Sequence, residues 1–240
     1  MFERRGSLPA LLVALALLGA GCAAPSSPGS SDPGSLLLAD GYEPESLNPL
    51  LGYGAEGAAK FYDGLLAFDG RAELRPALAA EPPQSSPDAK TWTVKLRDGV
   101  RFHDGTPFDA EDVVATYHAA IDPAYASTVS SDYAMLADVR ALDPHTVQFD
   151  LKIPYSAWPS KLVLGIVPSE KLATPEPLEN SELNTKPVGT GPYELVEWRQ
   201  GDQMTWKGNP DYWGGAPAIG EVTVVFATDD NTRDQRLLSG

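Results

Sequence analysis

Histidines and carboxylates crowd the stretch from Leu96 to Ala120, which reads LRDGVRFHDGTPFDAEDVVATYHAA. Such side chains could act as general acids and bases or hold a metal ion. His103 and Asp104 are adjacent, however, and adjacent residues of a strand point to opposite faces. His103, His118 and His145 lack the close pairing of histidine metal ligands, and no serine stands in a nucleophile-elbow motif. We therefore expect no catalytic residues, no metal site and no cofactor.

A structural role explains the same acidic residues. Asp109 is a favourable helix N-cap, and Asp112 three residues later completes an acidic version of the capping box. Phe108 and Val113 occupy the two positions of a hydrophobic staple. The spacing predicts an amphipathic helix from residue 110 to about residue 120.

Two hairpins are predicted on either side of this helix. Apolar and polar residues alternate over 92–96, as in a half-buried strand. The dipeptide Asp98-Gly99 then favours a type I′ turn, which needs positive φ at both central positions, followed by a return strand over 100–102. A turn at 143–144 predicts a second hairpin, with strands over 139–141 and 147–151.

The remaining predicted elements mix strands and helices. In chain order they are a strand over 36–39, a helix over 58–70 with Phe61, Leu65 and Leu66 on one face, strands over 193–198, 204–206 and 222–226, and a helix over 229–239. Because strands and helices do not strictly alternate, this order predicts an α/β or α+β body with one sizeable core.

The N-terminus has the pattern of an export signal. Arg4 and Arg5 precede an apolar run over 8–18, which is too short to span a membrane. Cys22, the single cysteine of the chain, follows small residues and resembles the modified cysteine of a bacterial lipobox. We expect a signal peptide over 1–21 and a lipid-anchored flexible tether over 22–35, rich in Ser, Pro and Gly. The alternative is an ordinary secretory signal with an incidental cysteine.

Charge excludes one class of partner. The chain carries a formal charge of −15, and an acidic body repels the phosphates of nucleic acids. We therefore expect no nucleic-acid partner. The signal and the lipidation site together predict a protein on the cell membrane, facing the extracellular or periplasmic side.

Four separated motifs resemble one known family. They are YEPESLNPL at 42–50, LRDGVRFHDGTPFDAEDV at 96–113, VGTGPYELVEW at 188–198 and NPDYWGGAP at 209–217. Their order and spacing are similar to those of the bacterial extracellular solute-binding proteins of family 5, which bind oligopeptides, dipeptides, nickel complexes and related solutes for ABC importers. The resemblance covers roughly residues 36–240.

The resemblance implies a fold and a set of partners. The fold is α/β and periplasmic-binding-protein-like, of type II and of the larger peptide-binding class. Residues 36–227 would form an incomplete first lobe and 228–240 the start of the crossing to a second lobe, so that the chain looks like a fragment truncated before that lobe. The implied partners are a peptide or other small solute and the permease and ATPase subunits of an importer, with the receptor itself a monomer.

The same resemblance points to the loop after the first strand for binding. In peptide-binding relatives this loop pairs with the ligand through main-chain groups, which gives affinity with little side-chain selectivity. The ligand-binding candidates are Tyr53, Gly54, Ala55, Glu56, Tyr42 and Asn48. The loop could instead be a mobile connection, and Asn48 could serve only the turn before Pro49. Tyr125 and Tyr133 fall where relatives bring an aromatic residue to the pocket.

Two other functions stay open from the residues alone. An envelope-anchored hydrolase could use Glu194 and Glu197 as paired carboxylates. A non-functional truncated fragment would instead expose unpaired strands and an apolar face, and would tend to aggregate.

Overall fold

Alternating apolar residues build two four-stranded sheets in the computed structural model, which describes residues 34–54 and 60–227. The described strands are β1 Gly34–Asp40, β2 Leu66–Phe68, β3 Leu74–Pro76, β4 Gln84–Ser85, β5 Thr91–Lys95, β6 Leu136–Asp143, β7 Thr146–Leu151, β8 Tyr193–Arg199, β9 Gln203–Gly208 and β10 Ile219–Phe226. The described α-helix, α1, spans Ala110–Ile121. Short 3₁₀ turns connect many of these elements, and β2 pairs with β3 as a separate ribbon.

The first sheet has the order β1-β10-β9-β8. β1 runs parallel to β10, with Leu38 opposite Val224, and the other two pairings are antiparallel. The hairpin of β8 and β9 and the buried run of β10 confirm the strands predicted in the last third of the sequence. Because alternate residues of a strand share a face, one face of this sheet is apolar along three neighbouring strands.

The second sheet has the order β4-β5-β7-β6, and all its pairings are antiparallel. The predicted hairpin of β6 and β7 is confirmed. Trp92 and Val94 on β5 lie beside Phe149 and Val147 on β7, and all four are buried. This face packs against α1 and forms the centre of the core.

The helix α1 confirms its sequence signals. The side chain of Asp109 accepts a hydrogen bond from the Glu111 amide at 2.8 Å, and Asp112 accepts one from the Asp109 amide at 2.9 Å, so the capping box is complete. Asp112 is buried and also accepts a hydrogen bond from the Ser169 amide at 2.8 Å. Burial raises the pKa of the Asp112 carboxyl, against these stabilising hydrogen bonds. The helix N-terminus is thereby tied to the chain after the second sheet.

Two sequence predictions are wrong. The described part of the predicted helix over 58–70 is an extended segment followed by β2. The amide of Leu66 donates to the Leu162 carbonyl at 2.8 Å, and a Cβ on Gly64 would lie 2.7 Å from the Val163 backbone. Hydrogen bonding and close packing with residues 162–163 therefore outweigh the local apolar pattern that predicted a helix.

The predicted hairpin at Asp98-Gly99 is the second error. Gly99 has φ 75°, whereas Asp98 is not among the residues with positive φ, so the turn is not type I′. β5 pairs with β4 and β7 instead, because β7 offers a complete partner strand. Residues 100–102 form no return strand. The side chains of Val100 and Phe102 are instead buried in the core.

Some predicted segments lie partly or wholly outside the described residues. β1 begins at Gly34, so the last two residues of the predicted tether take part in a strand. The signal peptide, Cys22 and the helix over 229–239 lie outside the described residues. Within the described ranges, no helix combines the length and the apolar character that crossing a membrane requires.

Candidate functional site

An open cavity of about 990 Å³ lies at the carboxyl end of β1. Its floor is the apolar face of the first sheet, formed by Leu38 of β1, Met204 and Trp206 of β9, and Val224 and Phe226 of β10. These residues occupy alternate positions on adjacent strands, so their side chains share one face. A cavity with an apolar floor at the end of a parallel strand is a typical place for a small ligand.

The loop after β1 forms one wall of the cavity, and Asn48 holds this loop in place. Its side-chain oxygen accepts a hydrogen bond from the Leu50 amide at 3.0 Å and so caps the 3₁₀ turn Pro49–Leu51. Its main-chain oxygen accepts a hydrogen bond from the Tyr53 amide at 3.2 Å. Gly52 ends the turn with φ 94°, a left-handed conformation that glycine adopts without strain. These interactions fix residues 48–53 as part of the cavity wall.

Asn184 joins this loop to the opposite wall. Its side-chain oxygen accepts hydrogen bonds from Ser46 at 3.2 Å and from Asn48 at 3.3 Å. Its amide nitrogen donates to the carbonyl oxygens of Leu178 and Glu179, both at 2.9 Å. One side chain therefore ties residues 46–48 to the segment 178–184 at the cavity.

Tyr53 carries the aromatic part of the wall. Its ring stacks on Phe61 with a centroid separation of 5.8 Å and an interplanar angle of 17°, and meets Tyr62 edge-on at 6.5 Å. Burial raises the pKa of the Tyr53 hydroxyl, which therefore stays neutral at physiological pH. The ring offers a rigid aromatic surface to a ligand.

Four charged side chains line the cavity. They are Asp40 at the end of β1, Glu45 in the loop, Glu179 in the opposite wall, and Lys60. Within ranges 34–54 and 60–227, none of the four takes part in an ion pair. Three anionic groups and one cationic group thus face the cavity without charged partners in those ranges.

The predicted ligand-binding residues are divided by the structure. Tyr42, Tyr53 and Gly54 line the cavity. Asn48 is fully buried and supports the loop from behind. Ala55 and Glu56 lie outside the described residues.

Tyr125 and Tyr133 do not reach the cavity. Both are buried, and their hydroxyls donate to the main-chain oxygens of Leu172 and Lys161. Tyr133 packs edge-on against Tyr117, with centroids 5.4 Å apart. Their role in this chain is in the core.

Sequence reasoning missed several lining residues, namely Glu45, Lys60, Thr128, Glu179, Asn184 and Trp206. Trp206 could have been found, since it alternates with Met204 on a predicted strand. Glu45 also could have been found, since it lies in the motif at 42–50 between Tyr42 and Asn48. The other four carry no local signal, because only the folded chain brings their segments together.

Three of the four family-like motifs, those at 96–113, 188–198 and 209–217, meet away from the cavity around Asp63, whereas the motif at 42–50 forms part of the cavity wall. The Asp63 carboxylate accepts hydrogen bonds from Thr190 Oγ1 at 3.1 Å, from the Tyr212 hydroxyl at 3.1 Å and from Trp213 Nε1 at 2.8 Å. Burial raises the pKa of Asp63, while the three hydrogen bonds act in the opposite direction. The arrangement satisfies a buried carboxylate and presents no reactive atom to the cavity.

His103 joins the same network. Its Nε2 lies 2.9 Å from the Gly191 carbonyl, and its Nδ1 accepts a hydrogen bond from the Gly189 amide at 3.4 Å, which fits a neutral ring protonated on Nε2. Burial lowers the pKa of His103. Arg97, in the same motif, lies 4.6 Å from the centre of the Trp213 ring. The motif that looked chemically active is therefore used for packing.

Other candidate chemistry finds no support in the described ranges. Glu194 forms an ion pair with Lys207 at 3.0 Å, and Glu197 forms one with Arg199 at 3.4 Å, so the two carboxylates interact with separate cations. Residues 34–54 and 60–227 contain no group of three or more histidine, cysteine or acidic side chains that could hold a metal ion.

Sequence comparisons connect the chain with solute-binding proteins. The sequence model described as "Bacterial extracellular solute-binding proteins, family 5 Middle" matches residues 73–240. Protein XP55 of Streptomyces lividans is 41% identical over 235 residues, which cover 96% of this chain and 43% of that protein. The glutathione-binding protein GsiB of Shigella boydii serotype 4 (strain Sb227) is 40% identical over 186 residues, which cover 76% of this chain and 36% of GsiB.

Structural comparisons agree. NikZ from Campylobacter jejuni, solved in complex with Ni(L-His), is 28% identical with a TM-score of 0.80. The oligopeptide-binding protein AppA from Bacillus subtilis, solved in complex with a nonapeptide, is 29% identical with a TM-score of 0.80. In both cases the match covers 86% of this chain and 42% of the other. The chain spans less than half the length of these relatives.

Proposed function

The chain belongs to family 5 of the bacterial extracellular solute-binding proteins, and we propose that it forms one lobe of a receptor that captures a peptide or similar small solute for an ABC importer. Its mixed α/β architecture is that of the type II periplasmic binding proteins. The observation that carries the proposal is the cavity at the carboxyl end of β1, because an apolar sheet face and an ordered polar loop converge there.

Binding would use main-chain groups and the aromatic wall together. The loop around Tyr53 and Gly54 offers main-chain groups beside the stacked ring of Tyr53, and Ala55 and Glu56 would extend this edge. Pairing through the main chain tolerates many side chains, which suits a receptor for extended peptides.

Transport would follow from closure of a second lobe over the solute. The closed form would then be recognised by a membrane permease, whose ATPase subunits supply the energy, and no covalent chemistry would occur in the receptor. The receptor would act as a monomer at the cell membrane, held through a lipid on Cys22 and facing the extracellular or periplasmic side.

Titration and scattering on the gene product that carries this chain test the proposal. A mixture of short peptides should give saturable heat by calorimetry and a smaller radius of gyration by small-angle X-ray scattering. A Tyr53→Ala variant should bind at least tenfold more weakly, since an aromatic anchor of this size typically contributes more than about 1.4 kcal/mol. Absence of both heat and compaction with peptides and with nickel–histidine would contradict the proposal.

A matched control is available on the opposite side of the core. Tyr133 is a buried core tyrosine that does not line the cavity, whereas Tyr53 is partly exposed and does. Tyr133→Phe removes only the hydroxyl and should leave peptide affinity unchanged. A loss of affinity in this variant equal to that of Tyr53→Ala would point to a general loss of structure.

A further inference from the structure

We infer that this lobe selects solutes with a net positive charge, an inference that rests on the proposed function. The cavity gives its solute three carboxylates and one ammonium group: Asp40, Glu45, Glu179 and Lys60. Its formal charge is therefore negative over the described lining. A solute that carries an extra cationic side chain would complement it better than a neutral or anionic solute of the same size.

The carboxylates of the cavity differ from others nearby, because no cation of the described ranges neutralises them. Glu182, three residues from Glu179, forms an ion pair with Lys171 at 2.5 Å. Asp132, an exposed residue beside Tyr133, pairs with Lys161 at 2.8 Å. Glu179 has no such partner in ranges 34–54 and 60–227, although it lies on the same short segment as Glu182. The negative charge at the cavity thus stays available to a solute.

The surroundings of these carboxylates also suit a cation. The floor beside them is apolar, and a wall of low polarity strengthens the field of charges at the edge of a cleft. Tyr42, Tyr53 and Trp206 add aromatic rings to the lining, and aromatic faces attract ammonium and guanidinium groups. The formal charge of −15 for the chain has the same sign and would speed the approach of a cationic solute at low salt.

Three tripeptides of matched size test the inference on the gene product that carries this chain. Ala-Lys-Ala, Ala-Ala-Ala and Ala-Glu-Ala differ by about one unit of charge at each step at neutral pH. Calorimetric titration at low ionic strength should give affinities in that order, with about a three- to tenfold loss at each step. Glutathione, which is anionic, should bind no better than Ala-Glu-Ala. The differences should shrink at high salt.

Single substitutions assign the preference to this lobe. Glu45→Gln and Glu179→Gln should each weaken Ala-Lys-Ala by about two- to fivefold and weaken Ala-Ala-Ala by less, so that the preference for the cationic peptide shrinks. Lys60→Gln should change the preference in the opposite direction and improve Ala-Lys-Ala relative to Ala-Glu-Ala. Glu221→Gln is the control, because Glu221 is exposed on β10, out of phase with the cavity residues Val224 and Phe226.

The possible outcomes separate the two proposals. Equal affinities for the three peptides, or a preference for Ala-Glu-Ala, would overturn the charge inference and leave the receptor function standing. A cationic preference that survives both glutamate substitutions would also overturn it, since the preference would then not come from this cavity. Failure of all three tripeptides to bind, while the peptide mixture or nickel–histidine binds, would overturn the inference alone. Failure of the tripeptides, the mixture and nickel–histidine to bind or to compact the protein would overturn the inference together with the proposed function.

Discussion

Asp63 joins segments that are far apart in the sequence. It accepts hydrogen bonds from Thr190 and from two neighbouring aromatic residues, Tyr212 and Trp213. It also directly follows Phe61 and Tyr62, against which the cavity residue Tyr53 packs. Asp63 therefore supports the site indirectly, because its hydrogen bonds fix the segment 61–62 against which Tyr53 packs.

Substitutions at Asp63 should separate the loss of acceptors from the loss of charge. Asp63→Ala removes the acceptor of the buried Thr190 hydroxyl and of the half-buried Tyr212 and Trp213, and should lower the free energy of unfolding by about 2 kcal/mol or more. Asp63→Asn keeps one acceptor oxygen and should cost about 1 kcal/mol. Urea denaturation of the two variants and of Asp138→Asn, an exposed control, measures this. Equal stability of the alanine and asparagine variants would contradict the network.

His103 makes stability depend on pH. Burial lowers its pKa in the folded state, so the unfolded chain binds a proton that the folded chain does not. Its contribution to stability is present above the unfolded pKa of about 6.5 and is lost as the pH falls from there towards the folded pKa. The urea midpoint of the native protein should therefore fall between pH 7 and pH 5 more than that of His103→Gln. The carboxylates titrate in both proteins, so the difference between them isolates His103; identical pH profiles would contradict its buried neutral state.

Close contact between main-chain segments determines how the elements around Asp63 and His103 pack. A Cβ on Gly189 would lie 2.1 Å from the Phe61 carbonyl oxygen, and one on Gly191 would lie 2.5 Å from the Phe61 carbonyl carbon. The segment before β8 can approach residues 60–62 this closely only without side chains. The glycines of the VGTGPYELVEW motif are thus explained by contact between two main chains.

An alanine scan of glycines should show this contact. Gly189→Ala should destabilise the protein by more than about 2 kcal/mol, since main chain must move to admit the methyl group. Gly70→Ala is the control, because nothing lies within 4 Å of a Cβ there. Thermal melting of both variants decides the point, and a normal melting temperature for Gly189→Ala would contradict the packing.

The elements show which signals in the sequence were sufficient. α1 and the β6–β7 and β8–β9 hairpins were predictable because caps, turns and alternation are local. The prediction of a helix over 58–70 was wrong, because this segment pairs with residues 162–163 and that contact forms only in the folded chain. At the site, Tyr42, Tyr53 and Gly54 were found through the family resemblance, whereas Glu179 and Asn184 come from a segment of short 3₁₀ turns with no recognisable pattern.

At the scale of the whole molecule, the sheet that holds the cavity ends, within the described residues, in an exposed apolar edge. β1 is an edge strand, and Leu36, Leu37 and Leu38 are each 37–40% exposed. The described residues share one continuous buried core that reaches from this sheet to α1 and the second sheet. We therefore expect a cooperative unfolding transition; a broad, non-cooperative melt with aggregation would instead favour the alternative of a non-functional fragment.

Hydrogen–deuterium exchange with mass spectrometry tests the central claim, that the solute binds in the cavity at the end of β1. Saturation with Ala-Lys-Ala should slow exchange of main-chain amides in residues 36–54 and 178–184. It should leave α1 and the β6–β7 hairpin unchanged, because neither lines the cavity. Protection confined to α1 or to the second sheet, with none in the loop after β1, would contradict the account.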